Sequence, residues 1–144
     1  MNALVQSYGV QGVYIDQIGA AMGRNCFDRT HNHTAGNGDY WLKGFSTLLQ
    51  RAAEHNPKTA LVTEEMIELY MNRVSGNLVL SAYGPNAVPA YSTVYGGHFI
   101  GFGRAFKPDE FGTNGDQFCL QIAQMMLWGI QPGWMSLGDS VCFG

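Results

Sequence analysis

Gly12-Val13-Tyr14-Ile15-Asp16-Gln17 is a short apolar run, β-branched and aromatic, that ends abruptly in a carboxylate. A run of that composition reads as a fully buried strand. A carboxylate just past such a strand lies where α/β enzymes keep their chemistry, outside the carboxyl ends of the strands. A second stretch repeats the design, because Thr59-Ala60-Leu61-Val62-Thr63 runs directly into Glu64. The expectation is that Asp16 and Glu64 face each other across one pocket. The rest of the chain would then be scaffold and substrate loop.

Upstream, Met1 to Tyr8 reads as the last turns of a helix, with Gly9 as its stop. The first strand, Val10 to Ile15, follows at once. A helix feeding straight into a strand belongs in the middle of an α/β repeat, so these residues are expected to be a piece of a longer protein. Downstream, Gly19 to Asp39 is a loop rich in Gly, Asn, His and Asp, long enough to be functional. Tyr40 to His55 is predicted as a helix capped by Asp39 and ended by Asn56-Pro57, with Trp41, Phe45, Leu48, Leu49 and Ala52 on one face. Thr59 to Thr63 is the second strand. Glu64 to Val74 reads as a short helix with Met66, Ile67, Tyr70 and Val74 inward.

Asn77 to Ser81 is a third strand, and the segment around Tyr83, Pro85, Pro89, Tyr91 and Tyr95 reads as turns. His98 to Phe102 is a fourth strand closed by Gly103-Arg104. Asp116 to Gly129 is the most clearly amphipathic helix, burying Phe118, Ile122, Met125, Met126 and Ile130. Pro132-Gly133 breaks it, and Trp134 to Leu137 is the fifth predicted strand. Short strands alternating with helices argue for parallel βα repeats, an α/β fold. They suit an open doubly wound sheet or part of a (β/α)8 TIM barrel. No linker divides the chain, so residues 1–144 are read as one domain. A whole barrel takes about 250 residues, so on that reading the chain is the C-terminal half to two-thirds.

Composition excludes several functions. The 144 residues are 46% hydrophobic and 13% charged with a net charge of -3, and the eight basic residues are scattered singly. That is not the basic patch of a nucleic-acid binder, and no nucleic-acid partner is expected. No apolar run approaches the ~20 residues of a membrane span. Met1 to Val10 lacks the basic start and long apolar core of a signal peptide. Cys26, Cys119 and Cys142 are odd in number and far apart, which makes no disulfide framework. Asp16-Gln17-Ile18-Gly19 carries no G-x-G-x-x-G, which argues against a dinucleotide site.

The ordered motifs Tyr14-Ile15-Asp16-Gln17-Ile18, Cys26-Phe27-Asp28, His31-Asn32-His33, Gly36-Asn37-Gly38, Trp41, Thr63-Glu64, Glu68 and Tyr70, with the later Tyr95-Gly96-Gly97 and Gly101-Phe102-Gly103-Arg104, resemble an uncharacterised bacterial family. That family is assigned to the TIM-barrel glycoside hydrolases of the α-galactosidase-like superfamily. The resemblance runs from Gly9 to about Leu137. It implies that Asp16 is a nucleophile closing barrel strand four and that the acid/base closes a later strand. The chain would then hold strands four to eight, without the first part of the barrel and its sugar-binding residues. Gly138 to Gly144 departs from the pattern.

Glycosidases work with two carboxyls, ~5–5.5 Å apart in retaining enzymes and ~6.5–9.5 Å apart in inverting ones. Asp16 is read here as the nucleophile and Glu64 as the acid/base, with Glu65 and Glu68 as rivals; a plain loop-capping Asp and a helix-start Glu pair are the competing readings. Gln17, Asp28, His31, His33, Trp41, Glu68, Tyr95 and Arg104 are the candidate carbohydrate-binding residues. Trp41 suits either a sugar ring or the core. Cys119 and Met125-Met126 read as packing.

His31 and His33 with Asp28 and Cys26 are residue types that bind zinc. The spacing alone is weak and the Gly/Asn neighbours do not hold ligands rigidly, so no metal and no cofactor are assigned. The other readings are a metal-dependent hydrolase using Asp16, His31 and His33, which a strong chelator would inactivate, and a non-catalytic carbohydrate-binding remnant. An isolated half-barrel exposes a sheet edge, so the fragment alone is expected to be inactive and to aggregate or fold poorly.

Overall fold

The computed structural model describes residues 1–80, 86–103 and 115–133. It forms two compact units, Met1–Thr63 with Ile67–Ser75, and Glu64–Met66 with the chain from Gly76 onward. Among the described residues five strands alternate with helices, and Gly12–Ile15 with Ala60–Glu64, Gly76–Leu78 with Ile100–Phe102, and Ile100–Phe102 with Ile130–Gln131 pair in parallel, so the fold is α/β.

In the first unit α1 (Asn2–Tyr8) stops where Gly9 turns left-handed at φ 63° and its N–H reaches Val5 O at 3.0 Å. Strand β1 (Gly12–Ile15) pairs with β2 (Ala60–Glu64) from Gly12↔Ala60 to Ile15↔Thr63. Between them α2 spans Tyr40–His55. Asp39 stands at its N-cap but binds Lys43 Nζ at 2.7 Å instead of capping the backbone. At the other end the buried Asn56 amide donates to Asn2 Oδ1 at 2.7 Å, tying α1 to the end of α2.

Ile18, Leu49, Tyr70 and Val74 form the core, with Ile15, Leu42, Phe45 and Ile67 packed against it. Leu49 is fully buried, which is worth about 1.5–3 kcal/mol for a side chain of that size. Leu48 is not on this face. It is 50% exposed, and Leu42 supplies the contact instead.

The segment from Glu64 to Val74 is not the expected helix. Glu65 has φ 60°, a conformation no right-handed helix contains, and the only helical turn is 3-10, Glu68–Tyr70. In the second unit β3 (Gly76–Leu78) pairs with β4 (Ile100–Phe102), and β4 with β5 (Ile130–Gln131). Two helices complete it, α3 (Ala90–Tyr95) in a segment read as turns, and α4 (Gly115–Leu127).

Val79, Met125 and Ile130 are its buried core, packed with Met66, Phe118, Ile122 and Trp128. Met126, expected inside, is 69% exposed. Ile130, expected on the buried face of the helix, instead begins a strand. Gly129 turns left-handed at φ 68°, ending α4 before Pro132, and Ile130 enters the ladder at 2% exposure. The predicted strand Trp134 to Leu137 lies outside the described residues, as does Arg104. No helix among the described residues is long and apolar enough to cross a membrane.

Candidate functional site

Asp16 is the first residue beyond β1, and Glu64 is the last residue of β2. Each follows by one position the last register pair, Ile15↔Thr63. After each carboxylate comes a residue in the left-handed region, Gln17 at φ 59° and Glu65 at φ 60°. They are the two non-glycine residues with positive φ among the described residues. An L-residue there costs about 1–2 kcal/mol, so something must hold both turns.

A fully buried polar side chain does this at each turn. Thr63 Oγ1 donates to Ile15 O at 2.8 Å and accepts the Gly19 N–H at 3.3 Å, bracketing Asp16-Gln17-Ile18. Gln17 O also accepts the Ala21 N–H at 2.7 Å. On β3, Asn77 Nδ2 donates to Glu65 O at 2.8 Å, while the Glu65 N–H donates to Leu78 O at 2.7 Å. In the sequence Thr63 and Asn77 read as strand residues, not as holders of a neighbouring turn. Their one signal was a polar side chain inside an otherwise apolar run.

Asp16 is exposed and accepts the Tyr14 hydroxyl at 3.2 Å. Glu64 is half-buried, and Glu68 is exposed at the start of the 3-10 turn. Tyr95 ends α3 with its ring 5.0 Å from that of Tyr91. Trp41 packs within the first unit, 5.2 Å from the Phe45 ring and over Gly23, where a Cβ would stand 2.9 Å from Trp41 Cδ1.

The loop after β1 is more ordered than its composition suggests. Cys26 and Gly36 exchange both backbone hydrogen bonds, at 3.1 and 2.6 Å, which closes the loop between them. Gly36 sits at φ 99°, open to glycine and strained for other residues. Inside it, Asp28 Oδ1 accepts the Thr30 N–H at 2.8 Å and its hydroxyl at 2.7 Å. Those two bonds, with His31 and His33 adding attraction, hold the Asp28 carboxyl below its usual 3.8.

His31 lies between two partners, its Nε2 3.4 Å from Asp28 Oδ2 and its Nδ1 3.4 Å from Cys26 Sγ. The His33 ring stacks on Tyr40 at 4.0 Å and 10°, and its Nδ1 lies 2.9 Å from Thr34 O. Tyr40 in turn donates its hydroxyl to Arg24 O. The structure therefore groups Cys26, His31 and His33, with Asp28 beside them. Asp16, expected in a metal set with the two histidines, is not in this group.

Beside His33 the loop and the start of α2 enclose a cleft of about 680 Å³. Asn32, Thr34, Asn37, Asp39, Lys43 and Thr47 give it amide, hydroxyl and charged groups. Its volume falls within the range of small-molecule sites, roughly 300–1,000 Å³. Of the described residues expected from sequence to bind carbohydrate, His33 alone lines it.

Residues 1–106 match the family model described as "Domain of unknown function (DUF6259)". The chain belongs to the DUF6259 family. It is 39% identical over 145 residues to a Monosiga brevicollis protein named "Putative glycoside hydrolase 22789", and 31% identical over 129 residues to a Bacteroides thetaiotaomicron protein named "Putative glycoside hydrolase". Those alignments cover 96% and 86% of this chain but 12% and 19% of the relatives, so the chain spans a small part of either. No solved structure matches it.

Proposed function

We propose that this DUF6259 chain carries catalytic carboxylates of a glycoside hydrolase, with Asp16 as nucleophile and Glu64 as acid/base. The observation that carries the reading is the repeated strand end. Two parallel strands in register each deliver a carboxylate followed by a left-handed residue that a buried polar side chain holds in place. Strained backbone of this kind persists where the surroundings over-determine it, and it clusters at active sites. The names of both relatives point the same way.

In a retaining reaction Asp16 attacks the anomeric carbon while Glu64 protonates the departing oxygen. Glu64 then takes a proton from the water that releases the sugar. An α-linked sugar and a retaining course are the version this reading favours. Glu64 precedes Glu65 and Glu68 as the acid/base because it alone is a strand residue. The cleft beside His33, lined by hydrogen-bonding groups, offers a place for a sugar. The wider architecture on this reading is a TIM barrel, with these strands as its fourth to eighth and strands one to three supplied by chain outside these residues.

The test uses the full-length protein with a panel of aryl α-glycosides. Asp16→Asn and Glu64→Gln should each lower kcat/KM by roughly 10²–10⁴-fold, the usual scale of such a group's contribution. Proton NMR of the first-formed anomer separates retention from inversion. Hydrolysis that survives both substitutions sinks the assignment.

A further inference from the structure

We propose that Cys26, His31 and His33 form a zinc site that clasps the loop after β1, with Asp28 orienting His31. This inference is independent of the glycosidase reading, because its test reads metal binding and not hydrolysis. Three features carry it.

The first is convergence. One ligand atom from each of the three side chains lies within 4.8 Å of the others, and Cys26 Sγ and His31 Nδ1 are 3.4 Å apart. Zinc bonds of about 2.3 Å to sulfur and 2.0–2.1 Å to nitrogen, at tetrahedral angles, set the S···N edge at about 3.6 Å. The Cys26–His31 pair is thus already at that spacing. The other ligand-atom separations are no more than 4.8 Å.

The second is the arrangement around each imidazole. Metal-bound histidines as a rule give their other ring N–H to a carboxylate or a backbone carbonyl, which fixes the tautomer. His31 turns Nε2 to the Asp28 carboxylate and Nδ1 to Cys26 Sγ, so a proton held on Nε2 by Asp28 leaves the Nδ1 lone pair for the metal. His33 turns Nδ1 to Thr34 O, leaving Nε2 for a metal. Asp28 is itself anchored by both Thr30 bonds.

The third is rigidity. The Cys26–Gly36 backbone pair closes the loop, and stacking on Tyr40 fixes the His33 ring. The ligands therefore start from a restricted set of positions, which is what glycine- and asparagine-rich neighbours would otherwise deny them.

One thiolate and two imidazoles favour zinc over the oxygen-seeking magnesium and calcium. Binding displaces the Cys26 thiol proton to solvent, and the two imidazoles coordinate as neutral groups. Three protein ligands leave a fourth position for water or for a ligand hydroxyl. His33 also lines the cleft, so a metal there would sit next to whatever the cleft binds.

The experiment takes the full-length protein, strips it with a chelator, and adds back zinc or cobalt. Zinc should return to one equivalent attributable to this site, and cobalt should give a thiolate-to-metal charge-transfer band with intense tetrahedral visible bands. Cys26→Ala should abolish the charge-transfer band and that equivalent. Asp28→Asn should keep the stoichiometry while weakening zinc by roughly 10–100-fold. Unchanged far-ultraviolet circular dichroism in both variants separates lost ligation from lost folding. If a variant unfolds, protection of the Cys26 thiol from alkylation by zinc in the native protein decides the matter instead. A cobalt spectrum without the thiolate band, equal zinc affinity in Cys26→Ala, or alkylation unaffected by zinc each overturns the proposal.

Discussion

Thr63→Val tests whether a buried hydroxyl holds the Asp16 turn. The exchange keeps shape and replaces one hydroxyl by a methyl at a position with no solvent exposure. It deletes the 2.8 Å bond to Ile15 O and the 3.3 Å bond from Gly19 N–H, both part-buried. A stranded buried group costs about 1–3 kcal/mol. Partial burial places each loss near the lower end, so about 2 kcal/mol is expected for the pair. At 1.4 kcal/mol per decade that is roughly a 30-fold increase in local opening.

Hydrogen exchange on the full-length protein reads this directly. The Gly19 amide should exchange roughly 5- to 30-fold faster in Thr63→Val, with peptides from α2 unchanged. Thr63→Ser keeps the hydroxyl and should leave Gly19 near wild type. If Asp16 is the nucleophile proposed above, Thr63→Val should also lower kcat and Thr63→Ser should largely restore it, because a reacting group misplaced by about 1 Å can lose as much as 10²-fold. Gly19 exchange within twofold of wild type in Thr63→Val would refute the clamp.

Two further outcomes follow from the same geometry. A Cβ on Gly76 would stand 2.8 Å from Ile100 O, a backbone atom that cannot move without opening the β3–β4 ladder, whereas one on Gly12 meets Ala60 O at 3.7 Å. Gly76→Ala should therefore lower stability by about 1–3 kcal/mol and Gly12→Ala should be tolerated, as compared by urea midpoints. The Asp39 carboxyl is held below its usual 3.8, chiefly by its hydrogen bond to Lys43. A depressed folded pKa means that its stabilisation is present above 3.8 and is lost as pH falls through the lower folded value. Carbon-detected NMR should place the Asp39 midpoint below 3.8 and move it up in Lys43→Gln; an unmoved midpoint would show the pair has no effect.

Much of the scaffold was readable because it rests on local chemistry. Gly9, Asn56-Pro57 and the alternation of apolar runs with amphipathic stretches placed α1, α2 and the first two strands. The errors came where two local rules competed. A Glu-Glu pair after Thr63 looks like a helix start, yet Glu65 takes a left-handed turn because Leu78 O and Asn77 hold its two backbone groups from another strand. The helix at Ala90–Tyr95 hid among turn residues, since Pro89 serves as readily before a helix as inside a turn. Gly129 ended α4 where Pro132 was the more visible signal.

The residue types by themselves determined that a carboxylate would stand at the end of each of the first two strand runs, Asp16 and Glu64, and that Cys26, Asp28, His31 and His33 would share one loop. Only the tertiary structure decided which groups hold each of them in place. Convergence of Cys26 with His31 and His33 depends on the Cys26–Gly36 backbone pair, and the Asp16 turn depends on Thr63, 47 positions further along the chain. The first is a pair of backbone hydrogen bonds across one loop, and the second is a side-chain clamp between residues far apart in sequence. Those bonds leave no periodic trace in composition or spacing, because their geometry exists only once the chain has folded.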